Sequence, residues 1–393
     1  MSSERKNLIL ISTFYMLFFM AGGVISQYLP LFYSNVGFNY KAIGTILSIG
    51  SIASVIAQPF AASFSDKSNN KINIFRIIMI STFTSIWFVF FSGNRYILML
   101  IAASIFYGFS GCLQPLNDSI VIEMSKYKNY KYQTIRLLGS LGFAIMTAFT
   151  GIIVAKKIEY IFPMYAGIIL SAFVISYFVP TVKTKKSHLS TAKFTELFKD
   201  KKFVFFLIYA FLLSITNAFF NSFQGIYSKE KGISLALIGI GSMIGSFSQF
   251  PAMAFFLKLN RKFGMKNLML TAGIAYAVRW LLYATVLSSK TVLFLWATHG
   301  LTYILLFLCL VEYTRENIAD ELSTRALVLI NLILFGVSGI TGSALGGLLS
   351  TAYGIKNVFF MCSIICIISA LLFYWFYPVK SEKQESIING NLK

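Results

Sequence analysis

The chain has 393 residues but only two histidines and four cysteines, and just 12% of its residues are charged. Soluble domains carry roughly twice that share of charge, which excludes an ordinary water-soluble fold. One histidine, His188, lies in a polar interval and the other, His299, in an apolar run, so no imidazole set is available for a metal. The chain contains no HExxH or GxSxG motif, which removes the usual signatures of an intramembrane enzyme. Cys112, Cys309, Cys362 and Cys366 all fall inside apolar runs and read as small packing residues in place of a disulfide framework. Cys362 and Cys366 have i, i+4 spacing, yet neither a histidine nor an acid accompanies them. No metal and no cofactor is expected.

What the chain has in plenty is apolar sequence, 57% hydrophobic residues with a mean hydropathy of +0.73. A helix needs about 20 apolar residues to cross a hydrocarbon layer, and twelve runs of that kind can be marked. They lie near 7–33, 41–64, 74–93, 96–123, 133–154 and 161–180, then 203–227, 235–257, 268–288, 291–313, 326–351 and 357–377. The first is too long for a secretory signal and has no small-residue cleavage site, so it is expected to remain as a helix.

The net charge of +20 comes from basic residues in alternate loops, without the aromatic interleaving of a nucleic-acid surface. Lys67 and Lys71, the loop around Lys126, Lys128 and Lys131, the seven lysines from Lys183 to Lys202, the stretch Lys258 to Lys266, and Arg315 with Arg325 fall on one side. An excess of Lys and Arg marks the cytoplasmic side, which places both termini there in a cytoplasmic membrane. The longest polar interval, 181–202, divides the chain. The expected fold is therefore an all-α membrane protein with a six-helix bundle at 1–180, a basic linker at 181–202, a second six-helix bundle at 203–377 and a tail at 378–393.

Charges inside the apolar runs are the next clue. Asp118 and Arg136 are symmetric about Tyr127, so in a helical hairpin they sit at one depth, about 8 to 12 Å below the basic edge at 1.5 Å per residue. An unpaired charge there is costly, so the two are expected to meet and to face protein or a wet cavity. Ser140 and Phe143 lie at i+4 and i+7 from Arg136, giving a charge, a hydroxyl and an aromatic plane in one line. That set suits a hydroxylated solute with a flat or ring face. The second half repeats the construction: Arg279 and His299 each lie ten residues from Ser289, with Tyr276 and Tyr283 flanking Arg279 and a stripe of Trp296, His299 and Thr302 opposite. Gln27, Asn117, Asn217, Asn221 and Gln224 are further polar residues in the runs, and as a set they favour a polar lumen, although buried amides also join helices.

Two features resemble the major facilitator superfamily. One is the six-plus-six organisation about a basic linker, the pattern of transporters whose halves rock about a central site. The other is QPFAASFSDKSNNK at 58–71, which is similar to the superfamily's gating loop, with Asp66, Lys67 and Lys71 as its acid and bases and Ala62 where a glycine is usual. The stretch PLNDSIVIEMSKYKNYKYQTIRLLGSLGF at 115–143 is similar to spans four and five of the oligosaccharide:proton symporters, the lactose permease branch, and of the phenylpropionate permease branch. The resemblance implies that Asp118 and Arg136 hold the solute, that Phe143 stacks on it, and that Arg279 and His299 serve coupling. The chain departs from that pattern at Thr302, where the proton-exchanging carboxylate would stand, and at Ser246, Asn217 and Phe335, near the other charged positions. Coupling would then fall to His299 or Asp118, unless the protein is a uniporter.

The reading is a secondary transporter that takes up a small hydroxylated solute, a saccharide or nucleoside, with protons. Its expected binding residues are Asp118, Arg136, Phe143, Asn117, Ser140, Gln27, Asn217 and Asn221. An aromatic-acid importer, in which Arg279 binds the anion, and an efflux pump are the alternatives within the fold. No nucleic acid partner is expected. A monomer suffices, because the two halves already enclose the site.

Overall fold

The computed structural model describes residues 3–68, 70–128, 131–180 and 194–377. Most of the expected linker, with His188, and the expected tail lie outside the described residues. Eleven helices among them are long and apolar enough to cross a membrane. The first seven are α1 (Arg5–Asn35), α2 (Tyr40–Lys67), α3 (Lys71–Ser92), α4 (Tyr96–Ser125), α5 (Tyr132–Val154), α6 (Ile158–Ser176) and α7 (Lys201–Glu230).

The next helix, Leu235–Val286, has 52 residues. At 1.5 Å per residue it would reach about 78 Å, more than twice the hydrocarbon thickness. It is in fact two helices, for Gly264 breaks it with φ 76° and ψ 156°. Only glycine adopts that conformation without strain. Residues 235–263 form α8 and residues 265–286 form α9, followed by α10 (Val292–Asn317), α11 (Leu322–Tyr353) and α12 (Ile355–Phe376). Twelve passes result. The loop expected at 258–266 shrinks to this single kink, because the long stems of Lys258, Arg261 and Lys262 can carry their charges outward from a continuing helix.

The helices pack out of sequence order. α4 lies against α2 and α3, whereas α5 lies against α1 and the 235–286 segment, so α4 and α5 touch little. On the face away from the basic loops, first-half and second-half helices close to backbone distance. A Cβ at Gly44 of α2 would stand 2.4 Å from the Ser343 carbonyl oxygen of α11, and one at Gly239 of α8 would stand 2.5 Å from the Thr147 carbonyl oxygen of α5. Small residues let helices approach like this in lipid, where burying more apolar surface gains little. Gln224 donates to Gln27 on the same side, and Tyr40 donates to Glu230.

Elsewhere the surface is apolar. Phe91, Ile97 and Trp375 are exposed, Trp375 to 74%, a belt that a soluble protein could not leave uncovered. All four cysteines are buried and free.

Two irregular turns point to the centre. α10 tightens into a 3-10 turn at Thr298–Leu301, and α11 widens into a π-helix at Leu332–Val337. Such departures from the α-helix often mark functional positions.

Candidate functional site

A cavity of about 220 Å³ lies between α1, α2, α4, α7 and α11. Ser26, Ser51, Asn217, Asn221, Ser222 and Ser343 supply its polar groups, and Tyr107 and Phe335 supply rings. The side-chain oxygen Oδ1 of Asn217 is buried without a partner, an acceptor held ready for a donor. Phe335 reaches the lining from the π-helical stretch of α11, as a widened turn allows. Of the expected binding residues, Asn217 and Asn221 line this cavity, whereas Asp118, Arg136, Asn117, Ser140, Phe143 and Gln27 do not. Gln27 is occupied with Gln224 at the closed face.

Asp118 and Arg136 form no ion pair with each other, contrary to the hairpin expectation. The reason is α1, which places Tyr15 and Phe19, one turn apart, beside them. Tyr15 donates to Asp118 Oδ1 at 2.5 Å, and Tyr132 donates to the same oxygen at 3.1 Å. A carboxylate has about four acceptor sites, so Asp118 keeps capacity at Oδ2. The Arg136 guanidinium instead covers the Phe19 ring at 4.4 Å, with Nη1 buried and unpartnered. Ser140 bonds back to the Arg136 carbonyl, Phe143 packs beside Gly22 of α1, and Asn117 is wholly buried with both amide atoms unpartnered. Tyr303 of the second half meets the cavity residue Phe335 edge-on at 5.8 Å.

In the second half the residues at matched depth do meet. Arg279 is 1% exposed, and its Nη1 lies 3.0 Å from His299 Nδ1 and 3.2 Å from Thr302 Oγ1. Arginine has no acceptor, so Nδ1 must be the bare nitrogen and His299 is neutral in this contact. The 3-10 turn eclipses residues three apart and so brings His299 and Thr302 to the one guanidinium nitrogen. Gly300 makes the turn possible, because a Cβ there would stand 2.1 Å from the Ser248 carbonyl oxygen of α8. The guanidinium carbon sits 4.5 Å from the Phe220 ring, 5.1 Å from Trp280, 5.8 Å from Trp296 and 6.0 Å from Tyr283. Ring faces offset burial by about 2 kcal/mol for a desolvated contact, less than the several kcal/mol lost on burying the charge.

At the basic end Lys71 gathers the expected gating loop. Its Nζ lies 3.6 Å from Asp66 and 3.5 Å from Glu123 of α4, and it donates to Ser119 Oγ at 3.2 Å. Lys67 takes no part in this cluster. Sequence reasoning missed Glu123, Tyr15, Tyr132, Phe19, Tyr107 and Tyr303. Glu123 carried a usable signal, since an acid one turn from a basic edge needs a partner; the aromatic residues did not stand out among so many.

Among the described residues twelve apolar helices pack together with a polar cavity between five of them, and the likenesses that follow make the protein a multi-pass membrane transporter, not an enzyme. The chain belongs to the MFS_1 like family, whose model it matches over residues 8–361. It is similar to the uncharacterized transporter YwbF of Bacillus subtilis, at 25% identity over 98% of this chain and 96% of that protein. It is also similar to the maltose permease of Geobacillus stearothermophilus, at 24% identity over 91% of this chain and 92% of that one. The crystal structure of the nucleoside transporter NupG shares its fold with a TM-score of 0.83, at 16% identity over 95% of this chain and 99% of that one. The fold is thus the major facilitator fold.

Proposed function

We propose that the protein takes up a small neutral, hydroxylated solute, a saccharide or nucleoside, together with protons by alternating access. The observation that carries this reading is the cavity lining, which offers amides, hydroxyls and rings but no charged side chain. Such a lining complements hydroxyls and a ring face rather than an ion. The maltose permease and nucleoside transporter likenesses support the same solute classes. Helix α4 runs from Tyr107 in the cavity lining past Asp118 to the basic end, so Asp118, Arg136, Asn117, Ser140 and Phe143 are assigned to the approach on the basic side. Positive-inside bias makes that side cytoplasmic and puts both termini there. The bundles 1–180 and 203–377 then move about the cavity as one monomer, with Asp66, Lys67 and Lys71 as the gating loop.

Proton coupling is assigned to His299 with Arg279, and to Asp118. A proton on Nδ1 would face two donors together and break the contact to Arg279. Protonation thus has two packings to choose between, which is what a coupling step needs. The test is uptake of maltose, sucrose and uridine into proteoliposomes under an imposed pH gradient. Accumulation of one of them, abolished by a protonophore, is the expected result. His299→Asn should reduce accumulation to equilibration while exchange persists. Equal accumulation with and without the gradient would contradict the coupling assignment.

A further inference from the structure

The surroundings of Arg279 contain donors and rings but no negative charge. Three helices contribute. On α9 these are Tyr276, Trp280 and Tyr283; on α10, Trp296, His299 and Thr302; and on α7, Phe220. Among the described residues no carboxylate pairs with Arg279. Its Nε and Nη2 are buried and unpartnered, and so are the Tyr276 and Tyr283 hydroxyls and Trp296 Nε1. Tyr283 approaches the guanidinium and Tyr276 approaches Thr302, each outside hydrogen-bond geometry. All five atoms belong to side chains at most 3% exposed. Every one of them can donate a hydrogen bond. Buried donors that collect around a buried cation lack one thing, an acceptor with negative charge.

We infer that the Arg279 cluster binds a small monovalent anion, a halide or a carboxylate group, held by the guanidinium together with the Tyr276, Tyr283 and Trp296 donors. The anion neutralises the one fully buried arginine of the second half and leaves His299 as the member of the cluster free to change its protonation. With Thr302 in place of an acid, a diffusible anion fills the place that a fixed carboxylate would otherwise take. Anion occupancy is independent of which solute the cavity holds, so loss of solute uptake and loss of anion binding are separately observable.

The experiment uses the full chain purified in detergent in sodium methanesulfonate, whose anion is neither a halide nor a carboxylate, titrated at constant ionic strength with sodium chloride or with sodium benzoate, reading the Tm. A saturable rise of about 4 °C at an anion concentration a hundredfold above its Kd is expected. If chloride gives the rise, the anion is a halide; if only benzoate does, it is a carboxylate held apart from the solute in the cavity. Arg279→Met can itself perturb folding, so the decisive variant is Tyr276→Phe with Tyr283→Phe, which keeps the rings and removes two donors. It should start within about 1 °C of the wild-type Tm in methanesulfonate, because neither hydroxyl makes a hydrogen bond of full geometry, and lose most of the anion-dependent rise. No rise with either anion would overturn the inference. A rise that persists unchanged in the double variant would overturn it too, because the anion would then act at the many surface lysines.

Discussion

The two halves hold their intramembrane charges in opposite ways. In the first half Asp118 and Arg136 are both half-buried, the acid bound by two tyrosine hydroxyls and the base laid over Phe19. In the second half Arg279 is fully buried, fixed to His299 and Thr302, and caged by rings. The first arrangement leaves acceptors and donors with capacity to spare near a cavity. The second consumes its histidine and hides its cation from any solute in that cavity. On the function proposed above, the same pattern of a charge at matched depth is assigned to recognition where it stays partly open, and to ion or proton handling where it is sealed.

Gly300→Val should break the sealed cluster most severely. A side chain there meets the Ser248 backbone, and forcing α8 and α10 apart should cost about 3 kcal/mol, seen as a clear fall in Tm. Solute binding in the cavity, which neither Gly300 nor Arg279 lines, should fall less than stability does. Tyr15→Phe sharpens the contrast on the other side by removing the 2.5 Å bond to Asp118, a charge-assisted contact of about 2 kcal/mol. Solute affinity measured by equilibrium binding should change about tenfold or more while the anion-dependent Tm rise stays. Phe19→Leu has the smallest expected effect, about 1 kcal/mol from the lost ring beneath Arg136, or roughly fivefold in affinity. A larger change for Phe19→Leu than for Tyr15→Phe would reverse the order of importance assigned to acid and base.

Much of this was legible in the sequence. Twelve apolar runs gave twelve passes, and the equal distances of Arg279 and His299 from Ser289 brought them within 3.0 Å. That geometry held because α9 and α10 are true neighbours joined by a short turn. The same logic failed for Asp118 and Arg136, because α4 and α5 are joined in sequence but barely touch, α4 packing on α2 and α3 and α5 on α1. Hairpin symmetry fixes depth but not lateral neighbours. Gln27 was read as lumenal because a buried amide looks the same from sequence whether it meets a solute or, as here, Gln224. The 3-10 turn at Thr298–Leu301 left only Gly300 as a trace, and a glycine alone does not say which backbone it approaches.

The most direct test of recognition in the first half is counterflow in proteoliposomes with Asp118→Asn, using whichever of maltose, sucrose or uridine the wild type exchanges. Asparagine can still accept from Tyr15 and Tyr132, so the fold and its Tm should be kept while the charge is removed. Counterflow reduced at least about thirtyfold, matching loss of a charged acceptor worth about 2 kcal/mol, is the predicted result. Counterflow at the wild-type rate would contradict the assignment of Asp118 to the solute.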